Sequence, residues 1–405
     1  AKLFTSASII GVIFGVLGFL IIIIGSSGIA NMLGGQETRL ALIVTSFALL
    51  IAPYMAVYRG YFQGFGDMIP TGVSQVIEQL IRVFFMLTIA YIFVYWNKAS
   101  DIITGGAMIG SCFGVITSLI YLRMKYVKST YRYKSETYSL QDFKKNAKSI
   151  LRVSVPIAIG ALSMPVLNLV DSVTIPHVLH ESSTTIQEQF GIYSRGFAFT
   201  QLIVVFASAI VFPLIPLLTA ALTKKDIALA KLTVKRTNEF AHVLTMPITI
   251  WLMALAVPLN VALFTDTKGS GMLAILIGSS YFTSLMVLSI GILQGINRSM
   301  QAAWIVIGVS FVKIVLNIAL VNQFGINGAA YSTLIIYIMI CIANHIYIRK
   351  DLSYPIAIGK FLAVIGVSSI LGIALYFGST LINVTDSRIL AMIYSAVALS
   401  IASVL

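Results

Sequence analysis

Charge is what this sequence has least of. Only 10% of its 405 residues are Asp, Glu, Lys or Arg, against roughly 25% in a soluble domain. That shortage excludes an ordinary water-soluble enzyme, whose surface needs charged cover on every side. Cysteine is almost missing too. Cys112 and Cys341 both lie inside apolar runs, which excludes a disulfide framework and a cysteine-based zinc site. Histidine is sparse. His177 and His180 stand three apart, but no carboxylate or thiol completes a metal set beside them, so they read as interface histidines and no metal is expected. A GxxxxGK[ST] phosphate loop is absent, since "GKF" at 359–361 lacks the rest of it. So are an HExxH pair and a Ser/His/Asp arrangement. The chain therefore reads as neither an ATPase nor any other enzyme.

What fills the chain instead is apolar. Hydrophobic residues make up 58% and the mean hydropathy is +0.96. A membrane helix needs about 20 mostly apolar residues. Twelve segments qualify: roughly 5–33, 39–63, 70–96, 102–124, 150–179, 189–222, 236–264, 269–295, 300–322, 326–348, 356–381 and 388–405. The expected fold is an all-α integral membrane protein. The opening apolar run is longer than a signal-peptide core and is read as a span.

The formal charge of +13 is explained by topology rather than by nucleic acid. Alternate connections hold the basic residues. These are Arg59; Arg123 to Arg152 with nine Lys and Arg; Lys224 to Arg236; Arg298; and Arg349 to Lys360. The intervening connections, "GGQETR", "NKASD", "HESSTTIQEQ", "TDTKGS", "NQFGIN" and "STLINVTDSR", hold at most one each. Positive-inside bias puts the first set in the cytoplasm. The expected organisation is an N-terminal lobe 1–124, a basic cytoplasmic linker 125–149, a C-terminal lobe 150–349 and a helix pair 350–405.

"RGYFQGFGDMIP" at 59–70 interrupts the apolar pattern, and "GILQGINRSMQ" at 291–301 echoes it. An offset of 231 residues sets Gly60 on Gly291, Gln63 on Gln294, Gly64 on Gly295 and Arg82 on Lys313. Further along, "GGA" at 105–107 meets "NGA" at 327–329. Both QG segments lie on the basic side, so the repeat is parallel, a recurring transporter plan. The second lobe has two spans ahead of the repeated part, and the first has none. Two N-terminal spans and the end of the last helix are expected outside this sequence, which would bring the total to six, six and a final pair.

The stretches "RGYFQGFGDMIPTGVSQVIEQLIRVFF", "LRVSVPIAIGALSMPVLNLVDS", "GIYSRGFAFTQL" and "GILQGINRSMQAAWIVIGVSFVKIVLNIALVNQFGINGAA" resemble the polysaccharide-transport branch of the multidrug/oligosaccharidyl-lipid/polysaccharide (MOP) exporter superfamily. Within it they look like MurJ-like lipid II flippases of the Gram-positive, SpoVB-related type. The resemblance implies two six-helix lobes around a central cavity, as in MATE and MurJ transporters. It also implies alternating access in a bacterial plasma membrane. The partner would be an undecaprenyl-pyrophosphate-linked sugar-peptide lipid, taken from the inner to the outer leaflet for cell-wall synthesis by a monomer. Two alternatives stay open: a flippase for another undecaprenyl-linked polysaccharide unit, and a cation-coupled multidrug antiporter. A non-transporting scaffold would gain nothing from intramembrane charge.

Ionisable residues inside spans cost about 2.5–3.5 kcal/mol each at the helix centre, so each is a candidate. Arg195, in "GIYSRGF", presents a fork suited to a pyrophosphate or carboxylate. The resemblance also places a substrate-binding arginine there. Asn168 and Asp171 lie one turn apart in a segment broken by Pro156, Pro165 and Pro176, as a bending helix requires. Glu78 and Arg82 are four apart and read as an intrahelical pair, with Arg82 alternatively lining a substrate cavity. Lys313 and Asn317 share a helix face. Some members of the resembled family hold sodium between the seventh, eleventh and twelfth spans. Here the expectation is that the Lys313 ammonium pairs with Asp171 and stands in for that cation. No cofactor is expected, and coupling to a monovalent cation stays open.

Overall fold

The computed structural model describes residues 2–33, 35–129, 138–179, 183–353 and 358–404. Among them there is helix and turn but no strand. The helices are α1 (Lys2–Met32), α2 (Arg39–Gly64), α3 (Ile69–Tyr95), α4 (Ser100–Val127), α5 (Leu140–Ala161), α6 (Ser163–Val178) and α7 (Ser183–Thr223), followed by α8 (Ile227–Ala254), α9 (Ala256–Phe264), α10 (Ser270–Gly295), α11 (Ser299–Phe324), α12 (Ile326–Asp351), α13 (Ile358–Leu381) and α14 (Arg388–Val404). Nine described helices are long and apolar enough to cross a membrane. The pair α8 and α9, bent by 68°, makes a tenth if taken as one span. Large apolar side chains point outward, among them Ile24, Tyr91, Val315 and Ile370. In water that would be a large penalty, but against hydrocarbon it is the stable arrangement.

Where they are described, the twelve expected segments are helical, apart from the α8–α9 bend and the differences that follow. The segment 150–179 is two helices that meet at Leu162. Pro165 falls in the first turn of α6, where its missing N–H and ring disfavour an unbroken helix. The segment 236–264 begins nine residues early, because the Asp226 carboxylate accepts the Leu229 N–H at 2.9 Å and caps α8. Lys231, Lys235 and Arg236 therefore ride on a helix rather than a loop. The stretch at 59–70 is helix as far as Gly64, and its turn occupies only the residues that follow. Of the basic segment 125–149, residues 130–137 lie outside the described residues, as does His180, and α5 begins at Leu140.

The repeat has a structural signature. The offset of 231 carries both ends of α2 onto the ends of α10. Both helices then stop in the same way. Gly66 (φ 77°) donates to the Gln63 carbonyl at 3.0 Å and Asp67 to the Phe62 carbonyl at 3.0 Å. Asn297 (φ 62°) donates to the Gln294 carbonyl at 3.0 Å and Arg298 to the Leu293 carbonyl at 2.6 Å. These are two Schellman ends with glycine or asparagine at the left-handed position.

The described residues divide into two compact units, Ala1–Val155 and Pro156–Leu405. In the first, α4 lies against α2 and α3 through small residues. A Cβ on Gly110 would come within 2.6 Å of the Arg82 carbonyl oxygen, and one on Gly114 within 2.7 Å of the Glu78 oxygen. Only glycine permits that approach. Phe4, Tyr58, Tyr61 and Tyr126 close one end of α1, α2 and α4, with Phe4 stacked on Tyr126 at 5.0 Å. In the second unit α10 is the buried axis, packed by α7, α8 and α12. Its buried Ser279, Ser280 and Thr283 hydroxyls bond to carbonyls one turn back on α10, so the helix carries hydroxyls into the core with their donors used. In the same unit α13 packs on α8, and α14 on α9.

Candidate transport sites

Three charged clusters lie inside the two units. The most enclosed joins four helices of the second unit. Asp171 (α6), Lys313 and Asn317 (α11) are all 0% exposed. The Lys313 ammonium donates to Asp171 Oδ2 at 2.8 Å and to Thr333 Oγ1 (α12) at 3.1 Å. Asn317 Nδ2 donates to the other carboxylate oxygen at 2.9 Å and to Thr174 Oγ1 at 2.7 Å. The Tyr193 hydroxyl (α7) donates to Asp171 Oδ2 at 3.0 Å and lies 2.9 Å from Thr333 Oγ1. The Tyr337 ring stands 5.9 Å from the ammonium. Lys313 is near the middle of α11, so the pair sits deep in the apolar slab. A carboxylate there is tolerable only because a full opposite charge and three neutral donors surround it. The arrangement is balanced in charge and pins four helices at one point. Asn317 Oδ1 is buried without a hydrogen-bond partner among the described residues, and so is Asn168 Oδ1, one turn before Asp171 on α6.

The second cluster lies at the opposite end of this unit from its basic connections. Arg195, in α7, grips Asp266 with two bonds of 2.8 and 3.0 Å and donates to Asn260 Oδ1 at 3.0 Å. Its guanidinium lies 4.6 Å from the Phe264 ring centre. Asn260 is buried and ties the Lys268 carbonyl and Ser270 hydroxyl into the same knot. The Arg195 guanidinium beside Asp266 holds that carboxyl below the usual carboxylate range, helped by the Lys268 backbone N–H. Glu188, 2.6 Å from the Lys268 ammonium, raises the lysine above its ordinary value. Arg195 is thus a partnered side chain with a ring against one face.

The third cluster belongs to the first unit and is unequal in charge. Glu78 is buried between two arginines. Arg82 reaches Oε1 at 2.6 Å and Arg59, from α2, reaches Oε2 at 2.7 Å. Arg59 also donates to Ser74 Oγ at 3.0 Å and Ser118 Oγ (α4) at 3.0 Å. Arg82 Nε is buried and has no hydrogen-bond partner among the described residues. Two guanidinium groups share one carboxylate, so the cluster carries a surplus of positive charge within the span region.

Of the residues singled out from sequence, Asp171, Lys313 and Asn317 come together, as do Glu78 and Arg82. Asn168 stands one turn from Asp171 without joining its bonds, and Arg195 stands apart with Asp266. Tyr193, Thr333 and Arg59 were not anticipated. An uncharged hydroxyl in an apolar span carries no cost that would mark it. Arg59 is adjacent to a glycine and reads as part of a loop. His177 Nδ1 lies 2.6 Å from the Val173 carbonyl oxygen, one turn back in α6. Among the described residues no three His, Cys, Asp or Glu side chains gather at one point.

Comparison with known proteins places this geometry in a class. Residues 1–222 match the family model described as polysaccharide biosynthesis protein, and the chain belongs to that family. A solved structure of a multidrug resistance MATE family transporter of the MOP superfamily, in an inward-facing conformation, is 17% identical, covers 85% of this chain and 79% of its own, and shares the fold with a TM-score of 0.66. The uncharacterized membrane protein YabM of Bacillus subtilis (strain 168) is 31% identical over 327 residues, covering 79% of this chain and 61% of YabM. The lipid II flippase MurJ of the same organism is 26% identical over 400 residues, covering 92% of this chain and 73% of its own length. A solved structure of lipid II flippase MurJ in an inward closed conformation is 15% identical. It covers all of this chain and 81% of its own, with a TM-score of 0.67, and so shares the fold. The chain thus spans less than two thirds of YabM.

Proposed function

We propose that the chain is a flippase for an anionic lipid-linked precursor, moved from the inner to the outer leaflet of a bacterial plasma membrane by alternating access. Lipid II, an undecaprenyl-pyrophosphate-linked sugar peptide, is the cargo that this reading names. One observation carries it: the first unit holds two guanidinium groups against a single carboxylate, at Arg59, Arg82 and Glu78. A surplus cation within a span is costly unless an anion visits it. A pyrophosphate supplies that anion, and a cationic drug does not.

In this reading Arg82 is a headgroup ligand of the first unit, and Arg195 and Asn168 are headgroup ligands of the second, each acting within its own unit. Arg195 exchanges Asp266 for the pyrophosphate when cargo arrives. The Asp171, Lys313 and Asn317 cluster is the gating or ion-coupling element, with the lysine ammonium standing in for a monovalent cation. The protein would act as a monomer with its basic connections in the cytoplasm. Its working parts would be an N-terminal lobe 1–124, a linker 125–149, a C-terminal lobe 150–349 and a helix pair 350–405. The membrane potential or an ion gradient supplies the drive: with the potential, outward movement of negative charge gains about 2.3 kcal/mol per charge per 100 mV.

Depletion of the protein in its host, with an assay for lipid II at the outer leaflet, tests this reading. Inner-leaflet accumulation of lipid II supports it. Accumulation of a different undecaprenyl-linked unit reassigns the cargo. Unchanged lipids together with hypersensitivity to cationic drugs favour the antiporter.

A further inference from the structure

One feature of the second unit has no part in the flippase reading. A cavity of about 740 Å³ opens between α8, α10, α12 and α13, within the roughly 300–1,000 Å³ range of small-molecule sites. Its polarity is graded along the helices. At one end, where α8 and α13 begin and α12 ends, the rim carries Lys235, Arg236 and Lys360. Glu239 is the rim's carboxylate, lying 3.3 Å from the Lys360 ammonium and 3.8 Å from that of Lys235. Three cations therefore face one anion. Seven residues further along α8, about 10 Å, His242 and Tyr281 bond to one another at 2.7 Å and form a polar shelf. Beyond the shelf the wall is apolar, with Met246, Leu285, Ile338 and Val364. Phe240, Val243, Ile342 and Ile346 are more than half exposed along the side, so the cavity opens laterally towards hydrocarbon.

A charged rim, a polar shelf and an apolar depth are the three zones of a phospholipid: phosphate, ester and chain. Basic pockets between membrane helices on the positively charged side hold anionic head groups. We propose that this cavity is a resident site for an anionic phospholipid of the surrounding bilayer. Its phosphate would rest on Lys235, Arg236 and Lys360, its ester region on His242 and Tyr281, and one chain would lie between Met246 and Val364. The inference requires only that the chain spans a membrane, and it is independent of the cargo.

The test uses the full chain in nanodiscs of equal phosphatidylglycerol and phosphatidylcholine, released for native mass spectrometry. The wild type should retain phosphatidylglycerol over phosphatidylcholine by roughly tenfold or more, as about two surplus cations at a membrane surface would give. The variant K235Q/R236Q/K360Q, changed only at the rim, should lose that preference. Val364→Trp should lower retention of both lipids by blocking the depth. In the wild type, phosphatidylglycerol carrying a photoactivatable chain should label the 338–346 and 361–364 segments, a readout that needs no variant to fold. Absence of label there, or an unchanged preference in the rim variant, overturns the proposal. So does displacement of phosphatidylglycerol by equimolar polyprenyl pyrophosphate, which would make the cavity a cargo site. A chain that fails to flip any lipid but retains phosphatidylglycerol would sink the flippase reading and leave this one standing.

Discussion

Lys313 and Asp171 illustrate how a buried charge constrains a membrane protein. Neither side chain touches solvent, and the two meet at 2.8 Å where four helices come together. Removing one partner strands the other, a loss of about 3–5 kcal/mol for buried pairs. Lys313→Met and Asp171→Asn should each lower thermal stability in detergent by an amount of that order. The double variant should recover most of it, because two neutral groups of similar size need no compensation. If the pair is also the gate, the double variant stays folded and fails to transport. A double variant as unstable as either single would contradict the pairing account. At Asp266 the consequence is a pH dependence. Arg195 holds this carboxyl below the usual range, so its stabilisation is complete above the unfolded value of roughly 3.9. It fades as pH falls through the lower folded value. Asp266→Asn should therefore melt below the wild type at neutral pH, and the two melting points should converge under strong acid.

Glycines in these helices face two different surroundings, and each has its own mutational signature. Along α4, glycine is required by close approach: a Cβ at Gly110 would lie 2.6 Å from the Arg82 carbonyl oxygen and 2.7 Å from the Met86 nitrogen, both backbone atoms that cannot turn aside. Gly110→Ala should cost about 1–3 kcal/mol through overpacking. On α11, Gly308 has nothing within 4 Å of a built Cβ, and Gly308→Ala should be neutral or stabilise by up to about 1 kcal/mol. Thermal unfolding of both variants checks the contrast. Element existence was legible from apolar run length, because in lipid every backbone group must be paired within its own helix. Breaks and starts were less so. The Leu162 interruption depends on where a helix can tolerate Pro165, and the early start of α8 depends on the Asp226 cap, a local bond that hydropathy does not register. The candidate sites divide in the same way. Charged members in mid-span stood out because burying them is costly. Tyr193 and Thr333 did not, since a hydroxyl can bond to its own helix and passes unnoticed in an apolar run. Arg59 was hidden by its glycine neighbour, and only the path of α2 places it against Glu78.

For the whole molecule, charge and membrane potential belong to one account. A chain with 27 basic and 14 acidic residues carries much of its surplus on alternate connections, and within the first unit sets two arginines, Arg59 and Arg82, against one carboxylate. Such a distribution suits a cargo with a negative head, carried towards the positive side of the membrane. The most direct measurement is flipping of a fluorescent polyprenyl-pyrophosphate glycolipid by the full chain in proteoliposomes, with the potential set by a potassium gradient. A potential negative on the donor side should accelerate transfer several-fold over zero potential, since each charge gains about 2.3 kcal/mol per 100 mV. Arg82→Gln should remove most of the transfer. Transfer that ignores the potential, or survives undiminished in Arg82→Gln, would contradict the account.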